Sequence, residues 1–343
     1  MTEPEWVPSD FDFGSREAWS VQDSAYGEAE DMGEALKLLF SPDAESHVRA
    51  ERQMYHHLTH QGGRFGATIF ALPILLSALD HPDCQARALI LRFLVDAGFG
   101  VPDYHLPFGI APARHRERLI HQATATSITR EEMIEPLCSA QIALEIFDFV
   151  RAERSRLKPS LQAPAADERI AATWAAAFWL PDDAETRAVL SDVAEHGAGP
   201  ERWAATLSLA TIERAMGTEP CTASVETALG AADEREAFVA AFAAAEPETI
   251  DSLAAPLMRG VANFEAYPED FGGDAAAESC WRATWGDLRQ KTRRLVVAML
   301  KAPSDAWVDA LPSADEIRTV VGALDVVSEL LAIVSPGGDG RFP

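Results

Sequence analysis

Basic side chains are scarce in this 343-residue sequence: 29 Lys and Arg stand against 54 Asp and Glu, a formal net charge of −25. Phosphate contacts are made by Lys and Arg, so this balance argues against nucleic acid as a direct ligand. Long apolar runs are missing too. No stretch approaches the roughly eighteen residues of a membrane span, so no membrane association is expected. Cysteine is sparse, and Cys84, Cys138, Cys221 and Cys280 stand singly without a CxxC pair. That pattern suits structural thiols in a reducing cytosol. The opening "MTEPEWVPSDFDFGSREAW" has no basic start and no apolar signal core. Secretion is therefore not expected, and the expected location is cytoplasmic. GxSxG, GxxxxGK[ST] and GxGxxG are all absent, which leaves nucleophile-elbow and phosphate-loop chemistries without support.

What is present is helical periodicity. Hydrophobic residues make up 48% of the chain and charged residues 24%, enough to build a core. Ile69, Leu72, Leu76 and Leu79 recur on one face of a helix, and Leu89, Phe93 and Leu94 do the same in the next segment. "ERIAATWAAAFWL", "RWAATLSLATIERAM" and "DEIRTVVGALDVVSELLAIV" keep the period and are rich in alanine, the best helix former. No period-two run is bounded by turn residues, so no sheet is expected.

The charge is unevenly spread. Residues 1–46 carry twelve acidic and two basic side chains, a balance of −10; residues 47–160 balance at +1; residues 161–343 balance at −16. An acidic surface of this kind attracts a basic protein by complementary potential.

Between the helical segments one punctuation recurs: "FSPDAESHVRAE", "LDHPDCQARAL", "LPDDAETRAVL" and "HGAGPERWAAT". Proline stops or starts a helix, and an aspartate caps the new N-terminus, where acids also suit the helix dipole. An arginine follows at each start. Arg49 lies 38 residues before Arg87, and Arg202 a further 115 along. A period near forty residues is the scale of a two-helix repeat that must stack to bury its core.

The segment "LPILLSALDHPDCQARALILRFLVDAG" resembles a HEAT repeat. Pro73 matches the bend of the first helix, Asp80, Pro82 and Asp83 the turn, and Arg87 the arginine of the second helix. His81 is an addition, and Ala86 stands where the family has valine. A looser match runs from Asp183 to Gly217. "HQGGRFGATIFALPILL" also resembles actinobacterial HEAT-like proteins in which a His-Gln-Gly turn precedes the bent helix. The resemblance implies an all-α, HEAT-like alpha-alpha solenoid of stacked antiparallel helix pairs. The expected organisation is an acidic, partly irregular segment at 1–30 lying over the first repeat, a solenoid at 31–334 and a flexible tail at 335–343. A linker at 157–165 is expected to mark a sub-boundary near 157–166.

His56, His57 and His60 include i,i+3 and i,i+4 pairs, the spacing that aims two imidazoles at one metal from a helix. A hydrolytic zinc site would add a neighbouring carboxylate base, and Leu58 and Thr59 stand there instead. Gly62 and Gly63 follow at once, so His60 is expected at a helix C-terminus, with a glycine in the left-handed cap. The stretch then reads as a join between two helices, with no metal and no cofactor; a metal-dependent enzyme or regulator using the three histidines is the alternative. "PDDAETR" has Asp182 and Asp183 but Thr186 where a magnesium-binding DDxxD helix needs its third acid. The expected function is a non-enzymatic scaffold for a basic protein partner, of immunity, antitoxin or regulatory type. Its candidate binding residues are His60, Gln61 and Arg64 in the join, Tyr104 and His105 in the Gly/Pro/aromatic loop 97–110, and Trp281 and Trp285 one turn apart beside the acidic segment 264–275. Trp174, Trp179 and Trp203 are expected in the core, among alanines.

Overall fold

The computed structural model describes residues 4–60, 62–100, 102, 106, 109–124, 134–197, 199–218, 223–230, 233–245, 253, 256–257 and 274–285, with backbone alone at 134–139, 223, 224 and 226. The segments 264–273, 315–334 and 335–343, on which several sequence expectations fall, lie outside them. The fold is all-α, built of helices packed on helices. Strand occurs among the described residues only as Asp23–Ser24 paired antiparallel with Gly27–Glu28.

Thirteen α-helices are described: α1 (Arg16–Ser20), α2 (Met32–Lys37), α3 (Ala44–His57), α4 (Gly66–Asp80), α5 (Arg87–Phe99), α6 (Pro112–Thr124), α7 (Ile134–Glu153), α8 (Ala166–Trp179), α9 (Ala184–His196), α10 (Gly199–Ala215), α11 (Ala223–Leu229), α12 (Glu234–Ala244) and α13 (Ala275–Thr284). They fall into two compact units, one formed by residues 1–224 with 270–286, the other by 225–269 with 287–343.

In the first unit the central element is α8. From Ile170 to Trp179 every one of its side chains is buried, as a helix apolar on all sides requires. It packs against α5, α10 and α13. Its alanines let neighbours approach closely, and its tryptophans fill what remains. Trp179 reaches α5 at Gly98, where an added Cβ would collide with the indole. Around that contact Phe99, Phe147, Phe178 and the buried imidazole of His115 complete an aromatic cluster.

The aspartate of the Pro-Asp punctuation caps its helix at two of these turns, whereas at the third Ala86 stands at the N-cap of α5 with no side-chain hydrogen bond. Asp43 caps α3 by accepting from the Glu45 and Ser46 N–H groups, and Asp183 caps α9 by accepting from Thr186 N–H. The arginines that follow two such turns reach back to the preceding helix. Arg87 Nε donates to Leu79 O at 3.1 Å, and its Nη2 to His81 O and Pro82 O at 2.6 and 3.0 Å. Arg202 Nε donates to Ala194 O at 3.0 Å, again eight residues back. Each satisfies carbonyls that a helix end leaves open. Arg169 does the same for Ala163 O and Pro164 O and forms a two-pronged pair with Glu201 at 2.7 Å.

Two expectations are corrected. The stretch read as a linker is a 3-10 helix, Arg154–Gln162, inside the first unit; Leu157 and Leu161 are buried, and it packs on α8. Proline at 159 is compatible with this tighter turn, so the Pro/Ser composition alone did not indicate exposure. The loop expected over 97–110 begins later, because α5 runs on through Phe99, whose ring the aromatic cluster anchors. The acidic N-terminal segment is tied down by a few apolar residues among its charges: Val7, Phe13, Trp19 and Ala29 are buried, and Trp19 Nε1 donates to Phe13 O at 2.8 Å.

In the second unit Val225 and Ala228 of α11 pack on Ala240 of α12, with Leu229 and Ala244 beside them. No described helix is long and apolar enough to cross a membrane.

Candidate functional site

The join between α3 and α4 holds most of the polar residues singled out in the sequence. Helix α3 ends at His57, capped by Leu58, so His60 sits in the turn beyond it rather than at the helix C-terminus. The chain reverses through Gly62 at φ 80°, a left-handed conformation glycine adopts without strain. Thr68 on the first turn of α4 then fastens the join. Its hydroxyl donates to Leu58 O and accepts from Phe65 N–H at 3.2 Å.

The three histidines turn towards the short hairpin at 23–28. Tyr26 stacks on His56 with ring centroids 4.0 Å apart and 7° between planes. The Tyr26 hydroxyl lies 2.9 Å from His60 Nε2. Ser24 Oγ lies 3.3 Å from His57 Nδ1, and Ala25 N–H donates to His57 O. Burial, and then neighbouring His56, lower the His57 pKa. The imidazoles therefore hold the N-terminal segment against α3. Among the described residues, no group of three or more His, Cys, Asp and Glu side chains is placed to hold a metal ion.

Arg64 faces inward. Its Nε donates to Ala97 O at 2.8 Å and its Nη2 to Gly98 O at 3.1 Å, closing the C-terminal end of α5. Burial, and secondarily the nearby Arg118, push its pKa down to about 10. His115 adds a second donor to the same end, with Nε2 3.2 Å from Gly98 O. Arg64 is thus a helix cap, where the sequence reading had placed it in a binding turn.

The tryptophans proposed for an interface are also inside. Trp281 and Trp285 are 5% and 0% exposed. Trp281 meets Trp203 edge-on at 6.0 Å and Trp285 meets Trp174 at 4.8 Å. Helix α13 brings them to α8, and Cys280 on the same helix donates to Asp167 O, 113 residues away. Burial raises the Cys280 thiol pKa to about 12, which keeps it an inert packing group. Gln61, Tyr104 and His105 lie outside the described residues.

One polar group escaped the sequence reading. On α5, Arg92 and Asp96 stand one turn apart in an otherwise apolar stretch. Arg92 pairs with Glu51 at 3.0 Å, and Asp96 accepts from the Tyr55 hydroxyl. Burial and the Asp96 charge hold the Tyr55 pKa well above its usual value, so the phenol stays protonated and donates. This pair of bridges fastens α3 to α5. The i,i+4 repeat of Arg92 and Asp96, matched by Glu51 and Tyr55 on α3, was the available signal.

No family model matches the chain, and neither a curated protein nor a solved structure matches it.

Proposed function

We propose that this chain is a non-enzymatic protein-binding scaffold of HEAT-like helix pairs, with an acidic outer surface that receives a basic protein partner. The observation that carries the reading is the internal use of the cations. Arg64, Arg87, Arg169 and Arg202 direct their donors to backbone carbonyls at helix ends. Arg92, Arg116, Arg156 and Lys158 are paired with carboxylates. Acids such as Glu17, Asp192 and Glu195 stay exposed, so carboxylates of both acidic parts of the sequence face outward. The field of such a surface steers and orients a partner of opposite sign. The repeated arginine contact eight residues back, at Arg87 and Arg202, supports the HEAT-like part of the reading. An immunity, antitoxin or regulatory role is the form this scaffold reading takes, and a cytoplasmic setting suits its singly spaced thiols.

The test is capture with the tagged full chain from source-cell lysate, followed by titration of the purified captured protein. We expect one basic protein that binds in a fixed ratio, with affinity falling as salt rises. Absence of a stoichiometric partner, together with stoichiometric metal and loss of activity in His57→Ala or His60→Ala, would overturn the reading in favour of the metal-dependent alternative.

A further inference from the structure

One face of the molecule runs against this charge pattern. Helix α3 follows the same kind of Pro-Asp punctuation as α5, yet its arginines make no structural contact. His47 takes that task, its Nε2 lying 2.7 Å from Ser41 O at the end of the preceding turn. Arg49 and Arg52 are exposed, and among the described residues they engage no acid and no carbonyl. Of the two acids on the helix, Glu51 is turned away and bound to Arg92, and Glu45 lies one turn before Arg49 on the same face.

These arginines share a face with other unusual groups. Glu45, Val48, Arg49, Arg52 and His56 fall on one side of a helix of 3.6 residues per turn, so the face carries two guanidinium groups against one carboxylate. Val48 on that face is 55% exposed, and Tyr26, stacked on His56 at its C-terminal end, is also 55% exposed. The Tyr26 ring is held in place by His56 and by its hydrogen bond to His60. The stripe thus offers a fixed aromatic ring, an apolar side chain and two guanidinium groups against the single carboxylate of Glu45. Arginine and tyrosine dominate binding hot spots, and guanidinium takes carboxylate in a planar two-pronged geometry.

We propose that the Val48–Arg49–Arg52–His56 face of α3, extended by Tyr26, docks an acidic protein segment. Its carboxylates would meet Arg49 and Arg52, and an apolar side chain would lie over Val48 and Tyr26. Charge complementarity identifies the occupant. A chain of net charge −25 repels an extended polyphosphate beyond a two-arginine patch, whereas a short acidic helix or strand engages the patch alone. One helix face is small beside the ~800 Å² per partner of a stable dimer interface, which favours a short segment over a second copy. The inference does not depend on the basic partner proposed above, since it concerns a separate surface of opposite sign.

The experiment is fluorescence anisotropy with the full chain and a labelled synthetic peptide of glutamates carrying leucines at helical spacing. The native chain is expected to bind at low salt. Arg49→Glu with Arg52→Glu weakens binding by about tenfold or more, and Arg49→Gln with Arg52→Gln, which preserves helix propensity, weakens it several-fold. Arg114→Glu, an exposed arginine on α6, leaves it unchanged, and circular dichroism verifies that every variant keeps its helices. The proposal is overturned by equal binding of the α3 variants, or by an equal loss with Arg114→Glu. Two other results overturn it as well: tighter α3-dependent binding of an oligonucleotide of matched charge, and self-association abolished by the α3 changes.

Discussion

Helices α3 and α8 are both 14 residues long, and they sit at opposite extremes of the same fold. From Ile170 onward, α8 is enclosed on every side by α5, α10 and α13. On α3 only Ser46, Ala50 and Met54 are buried. The two also differ in their arginines. Arg169 at the start of α8 is held by two carbonyls and a two-pronged pair with Glu201, while Arg49 and Arg52 on α3 engage no acid or carbonyl among the described residues. Composition drives the first contrast: alanine and tryptophan alternate small and large on α8, and α3 is mostly polar. The second contrast comes from a single substitute, His47, which closes the turn that an arginine closes elsewhere. An enclosed helix uses its charges to be placed; an exposed one whose ends are already secured has charges left for another molecule.

The largest effect that would sharpen this comparison lies in the core. Trp174→Ala removes an indole that packs on Phe178 and Trp285. It should cost about 3–5 kcal/mol of stability, measured by denaturant unfolding of the full chain. A cost near that of a surface change would mean that α8 is not the central element.

Next in size is Arg87→Met, which keeps the alkyl stem and removes the donors to Leu79, His81 and Pro82. Stranding these helix-end carbonyls should cost about 2 kcal/mol, with Arg202→Met behaving alike. If both are neutral in thermal unfolding, the repeated arginine contact is incidental, and the structural support for a HEAT-like junction goes with it.

A pH measurement tests the cap between the 3-10 helix and α9. Burial pushes the Asp183 carboxyl up, but Lys158 and the Thr186 N–H outweigh it and bring its pKa down to about 2. An unfolded aspartate titrates near 3.9. Because the folded value is depressed, the stabilisation is complete above about pH 4 and is lost as pH falls towards about 2. Asp183→Asn should therefore flatten the fall in stability across that window and leave the profile near neutrality parallel to the native one.

The sequence was most informative where structure is local. The helical period and the caps at Asp43 and Asp183 depend on residues within one or two turns, and each is found where the pattern put it. The burial of Trp174, Trp179 and Trp203 also followed from the alanines around them. What stayed hidden depends on distance along the chain. Trp281 and Trp285 looked exposed because an acidic segment adjoins them, yet α13 carries them to α8 across more than a hundred residues. Tyr26 gave no sign that it would settle on His56 and His60, 30 and 34 positions away. Arg64 stood beside the histidines in sequence but belongs to the far end of α5. Arg49 and Arg87 follow similar punctuation at different offsets, six residues after Asp43 and four after Asp83, and the residue four after Asp43 is His47, which makes the contact to the turn.

The smallest expected effect on stability is therefore the most discriminating. Arg52→Gln on α3 removes no hydrogen bond and no ion pair, and glutamine is as good a helix former as arginine. The change should stay within about 0.5 kcal/mol of the native chain in denaturant unfolding. The same substitution paired with Arg49→Gln should still weaken binding of the acidic peptide. Stability and binding would then separate on α3, although on α8 the corresponding change, Arg169→Gln, moves stability. A marked loss of stability in Arg52→Gln would show that this arginine, too, is committed to the fold, and the contrast between the two helices would reduce to one of burial alone.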